Sequence, residues 1–176
     1  MVHRGPDGAG IAADCQITKS NSVGDLDSAG VTGSSVVGHT RLAIVGGTCG
    51  AQPFRSCDGR LILEHNGEIY NYKKLRSQLE GRHQFTTTTD SEVIVHLLEE
   101  NLGRTNLLGA IRKTVDQLDG VYVLTIRDEK SRQTALVRDR LGVRQIYYAA
   151  TDNFVAFASE RKALWRIGIS EPTKRV

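Results

Sequence analysis

The chain has 176 residues, 39% of them hydrophobic and 24% charged, with a formal net charge of +3. That length suits one domain spanning 1–176 with a core of its own, and the composition carries no signature of disorder. Basic residues run together only at Lys73-Lys74-Leu75-Arg76 and Lys174-Arg175, without the stacking aromatics of a nucleic-acid surface. No apolar run approaches the roughly 20 residues that cross a bilayer, and the start Met1-Val2-His3-Arg4 has no signal-peptide core. Cys15, Cys49 and Cys57 show neither metal-ligand nor disulfide-framework spacing. A soluble, cytoplasmic protein of a reducing compartment is expected, with no metal, no membrane and no nucleic acid.

Met1 to Gly10 is polar and turn-rich, Ile11 to Ala13 reads as a short strand, and Asp14 to Ser35 reads as a variable loop. Val36 to Val45 is the next strand, stopped by Gly46-Gly47. Asp58-Gly59 turns the chain into the apolar run Leu61-Ile62-Leu63. Asn71 is a plausible N-cap for a helix that carries Leu75 and Leu79 on one face. Thr89 and Glu92 form a capping box before Val93, Ile94, Leu97 and Leu98, which puts Asp90 in the first helical turn. A further amphipathic helix covers Leu107 to Leu118. Four strands then pair antiparallel, Val121–Ile126 with Thr134–Val137 and Ile146–Ala149 with Phe154–Phe157, before Ser159 caps a short helix through Trp165. Near-continuous apolar strands imply sheets covered on both faces, hence α+β layers with helices outside and sheets inside.

The chemistry concentrates after Leu63. Asn66-Gly67 offers an amide side chain beside an unhindered glycine N–H, a donor pair suited to an oxyanion at an amide carbonyl. The same dipeptide is also a type I′ hairpin signal. Arg41 is either a fork for a carboxylate or a surface arginine lying on the sheet. Asp90 either binds an ammonium group or complements the helix dipole. One cation, one anion and an oxyanion hole together describe a free amino acid with a side-chain amide, which is glutamine.

His3-Arg4-Gly5-Pro6-Asp7, His39 to Val45, Gln52-Pro53, Asn66 to Asn71, Thr89-Asp90-Ser91-Glu92, Leu118-Asp119-Gly120 and Arg138 to Val143 occur in this order. On these motifs nearly the whole chain resembles the glutaminase domain of glutamine-hydrolysing asparagine synthetase, a class II glutamine amidotransferase. The resemblance implies an N-terminal-nucleophile fold, a four-layer sandwich of helices, antiparallel sheet, antiparallel sheet and helices. It implies that Arg41 holds the glutamine α-carboxylate, with Leu42, Ala43, Ile44 and Val45 alongside. Glu68 and Asp90 would contact the α-amine, Asn66 and Gly67 would form the oxyanion hole, and His3 to Asp7 would brace the pocket from beneath.

The family's nucleophile is a cysteine at the start of the mature chain, and the family's first strand and helix precede the His-Arg-Gly-Pro-Asp motif. Both are missing here, so the chain alone is expected to hydrolyse no glutamine and to carry an unpaired strand edge. Cys49, just after Gly46-Gly47, is read as a loop or buried thiol rather than a nucleophile. The resemblance implies no cofactor in this domain. ATP and magnesium belong to the absent synthetase half, a domain or subunit that would be the partner. Gly46 stands where the family usually has aspartate, and Arg144-Gln145 where it usually has Lys-Pro, neither expected to touch the pocket. Two alternatives stay open: a non-catalytic module that binds glutamine or docks a partner, and the glutaminase domain of another class II amidotransferase.

Overall fold

A computed structural model describes residues 2–27, 30–47, 50–169 and 174–175. After a 3-10 turn at Val2–Arg4 come strands β1 (Ala9–Ala13) and β2 (Gln16–Ser20), helix α1 (Val23–Asp27), and strands β3 (Val36–Thr40), β4 (Phe54–Arg55) and β5 (Leu61–Ile69). Helices α2 (Tyr72–Leu79), α3 (Glu92–Leu102) and α4 (Leu107–Val115) follow, then β6 (Gly120–Asp128), β7 (Gln133–Arg138), β8 (Tyr147–Ala150), β9 (Val155–Ala158), α5 (Arg161–Arg166) and β10 (Lys174–Arg175).

The first three residues of β5, Leu61 to Leu63, are apolar on both faces because both are covered. Leu61, Leu63 and Ile69 pack with Leu124 and Ile126 of β6 against Val93, Ile94, Leu97 and Leu98 of α3 and Ala110 and Ile111 of α4. On the opposite face Ile62 meets Ala12 of β1, Val37 of β3 and Phe157 of β9. Leu164 of α5 closes the far side over Ala149, Ala156 and Ala158. The layers are therefore helices, the antiparallel sheet β4-β5-β6-β7, a second antiparallel layer, and a helix. That is the four-layer order expected from the sequence, with one difference. The second layer is two three-stranded sheets, β2-β1-β3 and β10-β8-β9, and among the described residues β3 pairs only with β1.

Several local expectations change. The stretch read as a loop from Asp14 contains β2 and α1. β2 pairs with β1 through a turn where Asp14 takes φ 46° and its carboxylate accepts from Ser34 N, Ser34 Oγ and Ser35 N. Polar, half-exposed β2 has no apolar alternation to announce it. The strand from Val36 ends at Thr40, not Val45: Arg41 N–H donates to Gly8 O while its C=O accepts from Asp7 N one residue further on, so the regular pairing with the segment before β1 stops there. Asn71 stands at the N-cap of α2 without capping it. Its amide instead bridges to Gln117 O at 2.8 Å and from Asp119 N at 3.1 Å. At the last helix the N-cap position is Glu160, one residue beyond Ser159.

The expected capping box is absent. Helix α3 starts at Glu92, with Ser91 as N-cap making no side-chain capping bond, so Asp90 lies before the helix rather than in its first turn. Glu92 reaches back instead to a loop: its two oxygens accept from the backbone N–H and the hydroxyl of both Thr86 and Thr87, at 2.7 to 2.8 Å.

Candidate functional site

The motif Asn66-Gly67 lies inside β5, opposite Val123 and Tyr122 of β6, so the hairpin-turn reading is excluded. Tyr122 gives its N–H to the Asp139 carboxylate at 3.1 Å and its carbonyl accepts Asp139 N at 2.9 Å, both on the β7 side. Gly67 and Tyr122 are therefore a pair that exchanges no ladder hydrogen bonds. The Gly67 N–H and C=O point to the other edge of β5. Along that edge Leu63 meets Phe54 of β4. His65 is held by the Gln52 side chain, which accepts from His65 N at 2.6 Å and donates to His65 O at 2.8 Å. Ile69 N donates to Asp90 Oδ2 at 2.9 Å. Gly67 falls between these two anchors, where the edge opens on a cavity.

The cavity has a volume of about 150 Å³ and is walled by Arg41, Leu42, Ile44, Val45, Asn66, Gly67, Glu68 and Asp90 among others. Of the residues expected there, only Ala43 stays out of the lining; its N–H goes to Asp7 Oδ2 at 2.9 Å. That bond, with Asp7 N to Arg41 O at 3.0 Å, is how the His-Arg-Gly-Pro-Asp segment supports the loop below the cavity. Gly5 is part of the same support, since a Cβ there would sit 2.5 Å from Arg41 C.

Arg41 is buried, and its guanidinium donates to Gly47 O at 2.5 Å and Val45 O at 2.9 Å. A guanidinium has five N–H donors, so these two carbonyls fix the plane of the fork while it faces the cavity. Burial pushes the Asp90 carboxyl above its ordinary range, opposed by the bonds from Ile69 N and Ser91. Asn66 Nδ2 makes a long contact of 3.5 Å to Ser159 Oγ. The amide thus leans toward the start of the last helix while Gly67 keeps its N–H on the cavity side.

Sequence reasoning did not foresee Arg4, Thr40, Thr89 or Ser91 in the lining, nor four further groups whose placement is informative. His39 and His65 line the cavity as neutral imidazoles, held down to about 4 and about 3, first by burial and then by neighbouring positive groups. His65 Nδ1 lies 2.9 Å from Ser91 Oγ, and His39 Nε2 lies 3.2 Å from His65 O. Gln52, whose pairing with a motif proline was noticed, acts as a substitute strand for His65. Arg144 lines the cavity too, with its Nε buried and unpartnered, which corrects the expectation that this departure stands clear of the pocket. No local pattern around Arg144 signals this, because its placement depends on the loop after β7 returning to β5. Gly46 does stand clear. It has φ +81°, and a Cβ would meet Thr89 Cγ2 at 2.6 Å, so the family's usual aspartate would displace Thr89. Cys49 lies outside the described residues, and no described cysteine lines the cavity.

A helix-sheet-sheet-helix sandwich whose central strand edge opens on an arginine, two carboxylates and an amide defines the class: an amidotransferase of the N-terminal-nucleophile fold. The glutamine amidotransferase domain family model matches residues 1–174, and the chain belongs to that family. It is 39% identical over 172 residues to a Methanocaldococcus jannaschii protein provisionally named glutamine-hydrolysing asparagine synthetase 1, covering 97% of this chain and 29% of that one. It is 36% identical over 167 residues to glutamine-hydrolysing asparagine synthetase 3 of Arabidopsis thaliana, covering 93% of this chain and 24% of the other. The chain therefore spans only 24% to 29% of the length of these relatives. The fold superposes on the glutamine phosphoribosylpyrophosphate amidotransferase of Bacillus subtilis with a TM-score of 0.79 and 30% identity, over 99% of this chain and 39% of that one. Among the described residues, no helix is long and apolar enough to cross a membrane.

Proposed function

We propose that the cavity binds free glutamine, as the amide-donor pocket of an asparagine synthetase. The ligand's α-carboxylate completes the Arg41 fork, its α-ammonium sits between Glu68 and Asp90, and its side-chain carbonyl oxygen faces the Gly67 N–H and the Asn66 amide. Two preset donors at that oxygen would stabilise the charge that develops when a nucleophile adds to the amide carbon. The ammonia released there would go to a synthetase domain or subunit that amidates aspartate. One observation carries this reading: Arg41, Asp90, Asn66 and Gly67, separated by up to 49 positions in sequence, share one small cavity.

Titration calorimetry tests it. L-Glutamine is expected to bind the chain, Arg41→Ala to abolish the heat, and D-glutamine to bind at least about tenfold more weakly, a difference of about 1.4 kcal/mol. A folded chain that takes up no glutamine would defeat the proposal.

Release of ammonia from glutamine by the 176-residue chain reports whether a thiol reaches the cavity. An ammonia assay on the purified chain checks this against a protein-free blank.

A further inference from the structure

On the face of α3 away from the cavity, four side chains from three parts of the chain converge. Cys57 comes from the turn between β4 and β5, His83 from the loop after α2, and His96 and Glu99 from one turn of α3. Their ligand-type atoms all lie within 4.8 Å of one another. Cys57 Sγ is 3.8 Å from His83 Nδ1 and 3.6 Å from His96 Nδ1. Glu99 Oε2 is 3.0 Å from His83 Nδ1 and 3.6 Å from His96 Nδ1. A tetrahedral zinc ion with N, O and S ligands at their ordinary lengths has ligand–ligand edges of about 3.3–3.6 Å. Four of the six ligand–ligand edges run from 3.0 to 3.8 Å and bracket that range, and all six lie within 4.8 Å.

The surroundings supply a second, independent sign. Each ring presents Nδ1 to the centre and turns Nε2 toward a different carboxylate: His83 Nε2 is 3.3 Å from Glu100 Oε1, and His96 Nε2 is 3.8 Å from Glu92 Oε1. His96 is buried, and its Nε2 has no hydrogen-bond partner at that distance. A neutral imidazole has one N–H and one lone pair. Between two carboxylates, one ring nitrogen of each histidine would face negative charge with a lone pair. With a cation at the centre, both Nδ1 lone pairs point at the metal and both Nε2–H groups at a carboxylate, the arrangement that fixes the tautomer of metal-bound histidine. Glu99 is oriented as a ligand would be, its Oε1 accepting Asp58 N at 2.8 Å and its Oε2 accepting Cys57 N at 3.1 Å.

We propose that Cys57, His83, His96 and Glu99 bind one zinc ion as a structural site. A thiolate, two imidazoles and a carboxylate form a donor set that suits zinc, and four protein ligands leave no open position for catalysis. On binding, the Cys57 thiol gives its proton to solvent, and thiolate and carboxylate together neutralise the ion. The metal would pin the β4–β5 turn and the loop after α2 onto α3. The site escaped the sequence reading because it takes one cysteine rather than a spaced pair.

The test is made on the 176-residue chain purified without chelator. Elemental analysis after dialysis is expected to give one zinc per chain, removable by a strong chelator. Replacement by Co2+ should produce a thiolate-to-cobalt charge-transfer band that Cys57→Ser removes and Cys15→Ser leaves intact. Glu100→Gln, which lies behind His83 and also pairs with Arg82 but touches no other proposed ligand, should weaken zinc binding about 10- to 100-fold while keeping that band. Zinc should also shield Cys57, and not Cys15, from alkylation in the unsubstituted chain, a readout independent of how any variant folds. A chain that retains no zinc, a cobalt band that survives Cys57→Ser, or equal alkylation of Cys57 with and without zinc would leave only a hydrogen-bonded cluster and overturn the proposal.

Discussion

A side chain at Gly67 would place its first carbon 2.0 Å from Val121 O and 2.7 Å from Tyr122 Cα. Both atoms are sheet backbone and cannot yield cheaply. Gly67→Ala is expected to lower stability by about 2 kcal/mol or more, the scale of overpacking at a site that cannot relax, read as a lower urea midpoint. Asp90 tests the ligand side of the same edge. Asp90→Asn keeps an oxygen for the Ile69 N–H while losing the charge that would face an ammonium, so the fold should hold. Glutamine affinity should fall at least about tenfold, and calorimetry beside circular dichroism separates the two effects. At this scale Arg41, Asp90 and Asn66-Gly67 were legible because the chemistry of a free amino acid asks for opposite charges and a donor pair. Arg144, His39 and His65 were not, because their place on the cavity is a product of packing. A lone arginine in a loop and a histidine in an apolar strand read the same whether they face a ligand or a core.

Helices and strands followed the sequence where the apolar period was strong, as in β5, α3, α4 and β6, and departed from it where polar side chains decide. The Thr89-to-Glu92 spacing fits a capping box, yet Glu92 accepts four bonds from Thr86 and Thr87. Burial raises the Glu92 carboxyl, and the nearby His96 ring with the donors of Thr86 and Thr87 outweighs it and holds it at about 2. Local sequence cannot tell which of several nearby threonines will reach a carboxylate. The difference is measurable. Glu92→Ala strips partners from two backbone N–H groups and should cost about 3 kcal/mol or more, given about 1.5–3 kcal/mol for a hydrogen bond to a charged group. Limited proteolysis should then cut first in the loop 84–88. Gln52 makes the same point for β5, where one side chain satisfies both backbone groups of His65. Gln52→Ala leaves two buried groups unpaired at about 1–3 kcal/mol each, so its urea midpoint should fall by a comparable amount, with Pro53 beside it unchanged.

Across the whole molecule, three buried groups set opposed demands on pH. His39 and His65 titrate near 4 and 3 in the folded chain against 6.5 when free, because burial disfavours their charged forms. Between about pH 4 and 6.5 the unfolded chain thus binds protons that the folded chain does not, and stability rises with pH. Glu64, buried beside Thr125, is pushed the other way, to about 8 from 4.5. Between those values the folded chain holds a proton that the unfolded chain releases, so stability falls as pH rises. Each proton contributes a slope of at most about 1.4 kcal/mol per pH unit. The two histidines outweigh the single glutamate below about pH 6.5, and Glu64 acts alone above it. Below about pH 4.5 the acid side steepens, because Glu92 and Asp128, both held at about 2, are then protonated first in the unfolded chain. The chain should therefore be most stable near pH 6.5, with urea midpoints falling on both sides. Glu64→Gln keeps a neutral hydrogen-bonding group in the same volume, so it should abolish the decline between pH 6.5 and 8 and leave the acid limb in place. A decline that persists in that variant would place the alkaline titration on another group.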